Sequence, residues 1–331
     1  MALIVLTSAS GSPGVTTTAL GLALTWVRPV LLVEADPTGG SGLLAGYFRG
    51  QAAPTQSLID LAFAHRAGGL AQAIPAVSMQ VPDTSVTMIA GTTAHGQARS
   101  LGALWEPLTA ALRSLDALGQ DVIVDAGRLG LAGAPEPLLF ASDLCLLVTR
   151  TDLVALSGAR SWAQTLRGGF EQRGAGPSLA LLTVGEGRPY RAREVSKVLQ
   201  LPILTSLAWD ADAAAVFSHG GTAPRGFDRS PLLRSLRTTG DTARSQISST
   251  RAQLTGTHEA SPPADQDRHA GQRREIAHGD AGHAEHLEFH AAQRTEVRHR
   301  RAAQVEPPKR QAAQRGQLSD GGAGEAKTAQ P

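Results

Sequence analysis

The residues best suited to chemistry lie where a short apolar run stops. Leu3-Ile4-Val5-Leu6 empties into Ser8-Ala9-Ser10-Gly11-Ser12-Pro13-Gly14, and Val15-Thr16-Thr17-Thr18-Ala19-Leu20 then opens an apolar segment of helical length. The order is strand, small-residue loop, helix. Glycine and serine let such a turn curl so that successive N–H groups point inward, and the following helix adds its positive N-terminal end. A turn of this kind can seat a phosphate. Laid on the pattern G-x-x-x-x-G-K-[ST], the segment supplies Ala9 for the first glycine, Gly14 for the second, Val15 for the lysine and Thr16 for the metal-binding hydroxyl. Gly/Ser turns before helices also serve as plain connections, and the turn alone does not separate the two readings.

Two further strand ends carry carboxylates. Val30-Leu31-Leu32-Val33-Glu34-Ala35-Asp36-Pro37-Thr38-Gly39-Gly40 is one, and Gln120-Asp121-Val122-Ile123-Val124-Asp125-Ala126-Gly127 repeats its form. In order, the three strand ends resemble the ParA/MinD family of P-loop ATPases. There the loop reads K-G-G-x-G-K-T-T, the second strand ends D-x-D-P-Q-G, and a later strand carries the Walker B aspartate. Gly11, Gly14, Thr16 and Thr17 match, as do Asp36, Pro37 and Gly39, while Glu34 stands at the first aspartate of the second motif and Asp125 at Walker B. The resemblance runs from Met1 to about Arg244. Both family lysines are absent: Ser10 and Val15 occupy their positions, which makes the loop a degenerate form of the deviant Walker A motif.

The resemblance implies ATP and Mg²⁺ as ligands. It implies nucleotide contacts from Gly11, Ser12, Gly14, Val15, Thr16 and Thr17, and from Asp210 at the adenine end. Thr16 would ligate Mg²⁺ and Thr17 would donate to the α-phosphate; the plainer alternative is a pair of helix-opening hydroxyls. Asp36 falls where the family's aspartate orients the attacking water, and Asp125 where one binds the metal through water. Thr16, Asp36 and Asp125 are thus the implied metal set. Glu34 reads equally well as a structural carboxylate. Loss of the lysine's charge-assisted contact costs ~3–4 kcal/mol of barrier by analogy with an oxyanion donor, roughly two to three decades in rate. Arg128, in the loop expected after the Walker B strand, is a candidate replacement at the γ-phosphate and joins Asp36 and Asp125 as an implied catalytic residue. Arg150 is a weaker candidate, and a solvated or salt-bridged arginine is the plain reading of Arg128. At the adenine end the family's asparagine and P-x-D turn are replaced by Thr183 and Ala208-Trp209-Asp210. Trp209 either stacks on a base or is an ordinary core or surface tryptophan.

These groups need a frame. Strands are predicted at Ala2–Thr7, Val30–Glu34, Ser85–Ile89, Asp121–Asp125, Leu144–Thr149, Leu179–Leu182 and Ile203–Leu207. Helices are predicted at Val15–Trp26, Ser57–Ala64, Ala98–Leu118, Leu153–Leu166, Ala192–Leu199, Asp212–Ser218 and Ser230–Thr238. Strands alternating with helices give an α/β fold with a mostly parallel, doubly wound sheet flanked by helices, and ligands in such sheets bind at the carboxyl ends of strands. All three polar clusters lie there. The expected organisation is one ParA/MinD-like P-loop domain over residues 1–245 and a low-complexity tail over 246–331. In the tail large apolar residues almost vanish and seven of the ten histidines fall. Such composition cannot bury enough apolar surface to offset ordering entropy, so the tail is expected to be disordered, with transient helix over Ala281–Gln304.

Composition narrows the function classes. Of the 331 residues 42% are hydrophobic and only 4% aromatic, so the core rests on Leu, Val, Ile and Ala. Cys145 is the only cysteine, which excludes a disulfide within the chain and speaks against the cluster-bridging relatives of the family. No signal peptide or membrane span is read near Ala2, so the expected location is cytoplasmic, with recruitment to nucleoid or membrane by partners. The formal charge is +2 with Lys197, Lys309 and Lys327 as the only lysines, which is weak evidence for nucleic acid. Arg234, Arg237 and Arg244 share a helical face where ParA-like proteins touch DNA without sequence preference, although such a run is usually a solvated face. The tail lacks the apolar face of a direct membrane anchor. Two functions follow from the resemblance. One is a positioning ATPase for chromosome, plasmid or cell pole, working as a nucleotide-gated homodimer. The other is a pseudo-ATPase scaffold similar to TadZ and CpaE, binding a partner protein of pilus or secretion machinery. A metabolic enzyme on the same fold would need further catalytic groups, and none is evident.

Overall fold

The computed structural model describes residues 1–10 and 12–259, with 254–259 as backbone only. Gly11, the segment 260–331 and the helix expected over Ala281–Gln304 lie outside the described residues. Eight strands form the sheet: β1 Leu3–Ser8, β2 Val30–Glu34, β3 Met79–Gln80, β4 Val86–Ile89, β5 Asp121–Arg128, β6 Leu144–Arg150, β7 Leu179–Val184 and β8 Ile203–Leu207. Their spatial order is β3-β4-β2-β5-β1-β6-β7-β8. Every pairing is parallel except that of β3 with β4. The α-helices are α1 Val15–Thr25, α2 Leu58–Arg66, α3 Leu70–Val77, α4 His95–Ala98, α5 Trp105–Arg113, α6 Glu136–Phe140, α7 Leu153–Gln172, α8 Ala192–Leu199, α9 Ala211–His219 and α10 Pro231–Glu259.

A sheet covered on both faces needs strands that are apolar throughout, and β1 is buried at all six positions. Alternation sends its side chains to opposite cores. Leu3 and Val5 join Leu108, Leu156 and Phe170 from α5 and α7 on one face. Ile4 and Leu6 join Leu20, Phe217 and Leu236 from α1, α9 and α10 on the other. Cys145 is buried in the first core, where lack of solvation pushes its thiol up to about 12.

Several element boundaries differ from the sequence reading. The helix expected over Ala98–Leu118 is broken into α4, α5 and 3₁₀ turns at Arg99–Leu101 and Ser114–Leu118. Gly102 weakens its second turn, and Pro107, which cannot donate a backbone bond, belongs in the first turn of a new helix. The α3 helix and the two-residue β3 were not anticipated. Leu70, Ile74 and Val77 bury one face of α3 even with Pro75 inside it. The last helix, expected to end at Thr238, continues to Glu259 because Leu236, Ala243 and Ile247 keep one stripe buried past the change in composition.

Candidate functional site

Parallel register places the candidate groups. Glu34 pairs with Asp125, Asp125 with Leu6, and Arg128 with Ser8 across adjacent strands. A shift between Leu6 and Ser8 lets β5 run on to Arg128, so Arg128 ends a strand instead of lying in a loop. The Leu129 amide then donates to the Ser8 carbonyl at 2.8 Å. Between β1 and α1 the chain turns through Ser12 at φ 45° and Gly14 at φ 93°. Gly14 is the N-cap of α1 and no side chain caps that helix, so its first amides and its positive end remain available to an anion.

Beside the turn lies a cavity of about 520 Å³, bordered by Ser12, Gly14, Thr16, Thr17, Asp36 and Arg128. Asp36 accepts the Thr38 amide at 2.8 Å and rests directly on Gly127, where an added β-carbon would come within 2.2 Å of the carboxyl carbon. Gly127 also has φ 60°, so both its backbone and its neighbour demand glycine. Asp125 is fully buried behind Thr16. Its Oδ1 accepts the Gly127 amide at 2.9 Å, while Oδ2 makes no hydrogen bond of good geometry. Burial pushes its carboxyl up to about 7, opposed by the Thr16 hydroxyl and the Gly127 amide and reinforced by the charges of Asp36 and Glu34.

Position 15 borders the cavity but does not serve it as a lysine would. Val15 is buried and belongs to the apolar cluster that holds Ile4 and Leu20. Glu34 likewise faces inward. Its Oε1 accepts the Leu43 amide at 3.2 Å and its Oε2 the Gly91 amide at 3.1 Å, and burial raises its carboxyl above the usual range. It is a structural clamp. Arg128 is exposed on the cavity rim.

A second cavity of about 160 Å³ adjoins the first, sharing Ser12, Gly14 and Thr17, and is walled by Val184, Leu207 and Trp209. Asp210 borders it, but its Oδ1 caps α9 by accepting the Ala213 amide at 3.2 Å. Thr183, expected just beyond a strand, lies inside β7, buried, with its hydroxyl 2.8 Å from that of Ser206. Trp209 is 45% exposed, and the guanidinium groups of Arg150 and Arg188 lie 5.3 and 5.2 Å from its ring. Sequence reasoning missed this cluster and the Gly127 seat, because both depend on segments that only the sheet brings together.

The donor set suits a hard divalent cation held together with phosphate: an unpartnered carboxylate oxygen on Asp125, a second carboxylate on Asp36, and the Thr16 hydroxyl. Among the described residues no group of three or more His, Cys, Asp or Glu side chains can hold a metal by itself. A cation held here would need oxygens of a bound ligand or water to complete its shell. The three arginines read as a basic face are not equivalent. Arg234 and Arg237 are exposed, Arg237 donating to the Asp228 carbonyl at 2.6 Å, whereas Arg244 pairs with Asp241 at 2.5 Å and lies over Trp26. No described helix is long and apolar enough to cross a membrane.

No protein-family model matches the sequence, and no curated protein matches it. Solved structures do match the fold. The cell division ATPase MinD of Pyrococcus furiosus superposes with a TM-score of 0.57 at 18% identity, covering 74% of this chain and 99% of that one. The septum site-determining protein MinD complexed with Mg-ADP from Pyrococcus horikoshii OT3 gives 0.55 at 16%, covering 78% and 98%. A ParA family ATPase from Chlorobium tepidum TLS gives 0.53 at 18%, covering 72% and 96%. At these identities the likeness establishes the fold alone, a mostly parallel sheet flanked by helices like that of these MinD and ParA structures.

Proposed function

We propose that this chain is a ParA/MinD-like nucleotide-binding protein for spatial organisation, of chromosome, plasmid or cell pole, which takes MgATP at the β1–α1 turn and hydrolyses it slowly or not at all. The observation that carries the reading is a convergence. The uncapped start of α1, Thr16 and Asp36 meet at one cavity, with Asp125 buried directly behind Thr16, while the lysine position is an apolar side chain turned into the core. Amides of the turn and the end of α1 hold the phosphates. Thr16, Asp36 and Asp125 hold Mg²⁺, which when bound neutralises phosphate charge. Asp36 positions water, and Arg128 on the rim supplies a cation to the terminal phosphate. Asp210 and the apolar cavity receive the base. The protein works as a homodimer with a partner protein, is cytoplasmic, and reaches nucleoid or membrane through partners; Arg234 and Arg237 are its contacts with DNA, with Arg244 a lesser one.

The burial of Val15 favours a second reading, a pseudo-ATPase scaffold similar to TadZ and CpaE that acts by protein–protein contact in pilus or secretion assembly. Steady-state ATPase assays with and without DNA separate the two. Turnover that disappears in Asp36→Ala and Asp125→Ala supports the positioning ATPase, and absence of turnover in every form supports the scaffold. Calorimetric titration tests the site itself: Val15→Lys should tighten MgATP about tenfold, the worth of one added charge-assisted contact. Unchanged affinity would mean that a side chain at position 15 does not reach the phosphates, and a wild type that binds no MgATP would mean that the turn from Ser12 to Thr16 is not a phosphate seat.

A further inference from the structure

Arg150, the weaker of the two candidates the sequence offers for the charge missing at position 15, gains support from its place in the fold. Arg150 ends β6, the strand paired with β1, so it leaves the sheet beside the β1–α1 turn. Its Nη2 donates to the Ser12 carbonyl at 3.2 Å, its guanidinium lies against Trp209, and its Nε is buried without a hydrogen-bond partner. A charged donor enclosed without an acceptor is costly, and such groups mark places where a ligand completes the bonding. Arg150 borders the apolar cavity, and Ser12, whose carbonyl it holds, borders both cavities. Arg150 thus links the turn to the apolar cavity, the two places that the nucleotide reading assigns to phosphates and base.

We propose that Arg150 is a phosphate-binding residue of this site, engaging the α- and β-phosphates of a bound nucleotide and exchanging the Ser12 carbonyl for phosphate oxygens as the ligand enters. The inference rests on the nucleotide reading of the same site. Arginine suits the post because its planar fork can stack on an indole and donate to two oxygens at once, which a lysine ammonium cannot. Trp209 lies against the guanidinium while the Ser12 carbonyl accepts from it, so its approach to the turn is set before the ligand arrives.

The test is calorimetric titration of the full chain with MgADP, with magnesium pyrophosphate and with adenosine, using wild type, Arg150→Ala and Arg150→Lys. Arg150→Ala should weaken MgADP and pyrophosphate about ten- to a hundredfold and leave adenosine unchanged, the range expected for losing a hydrogen bond to a charged group. Arg150→Lys should fall between. Tryptophan fluorescence should respond to MgADP in wild type, and that response should vanish in Trp209→Phe. Should Arg150→Ala unfold early, Arg150→Gln, which keeps a polar side chain, replaces it. Equal losses for MgADP and adenosine would reduce Arg150 to a wall of the cavity and overturn the proposal, as would unchanged MgADP affinity. Wild type that binds none of the three ligands would overturn the nucleotide reading along with it, whereas wild-type binding with an unaffected variant overturns only the role of Arg150.

Discussion

A carboxyl group closed off from water holds its proton longer than an exposed one, and Asp125 is such a group. Its pKa moves from the ordinary 3.8 to about 7 in the folded chain. Between about pH 4 and 7 the native state therefore keeps a proton that the unfolded chain has lost, so this residue's contribution to stability declines as pH rises through that window and levels off above it. In metal-free, nucleotide-free protein the melting temperature should fall between pH 5 and pH 8, and Asp125→Asn should flatten that part of the profile. A parallel decline in both proteins would show that Asp125 titrates normally. The carboxylate was readable from the sequence as the stop of an apolar run, although β5 continues past it to Arg128. Its enclosure behind Thr16 was not, since burial on that scale is a property of packed elements.

At the scale of elements, the loop that carries Asp36 is held by its neighbours more than by its own sequence. Glu34 ties the Leu43 amide to the Gly91 amide, and the Gly40 amide donates to the Thr92 carbonyl at 2.8 Å. Gly39 fits against the backbone at Ala94 and His95, where any β-carbon would collide at 2.2 Å. The loops after β2 and β4 thus form one unit, with Asp36 at its open end. Glu34→Ala leaves two buried amides without an acceptor and should cost about 2–4 kcal/mol. Urea unfolding would read this as a lower midpoint at an unchanged slope. An unshifted midpoint would mean that the clamp contributes nothing.

For the whole molecule, the helix that the change in composition seemed to end is the one that closes the structure. From α10, Ala243 and Ile247 fill the second core, and Arg251 pairs with Asp143 at 3.0 Å and donates to the Met1 carbonyl. A chain ending at Ser245 loses Ile247 and that clasp. It should be less stable than one ending at Glu259 by about 2–4 kcal/mol, since burying one large aliphatic side chain is worth 1.5–3. Thermal melts of the two would show it, and equal melting temperatures would place the boundary of the folded unit at 245.

Local patterns were enough to read the alternation of strands and helices, the polar ends of β1, β2 and β5, and the absence of a lysine at position 15, because periodicity and turn chemistry act over a few residues. Asp36 and Asp125 stood out for the same reason, each falling where an apolar run stops. Other features came only from packing: the seat of Asp36 on Gly127, the inward turn of Val15 and Glu34, and the meeting of Ser12, Arg150 and Trp209. Those residues lie far apart along the chain, and they become neighbours only when register aligns the strands and the helices on both faces close over them.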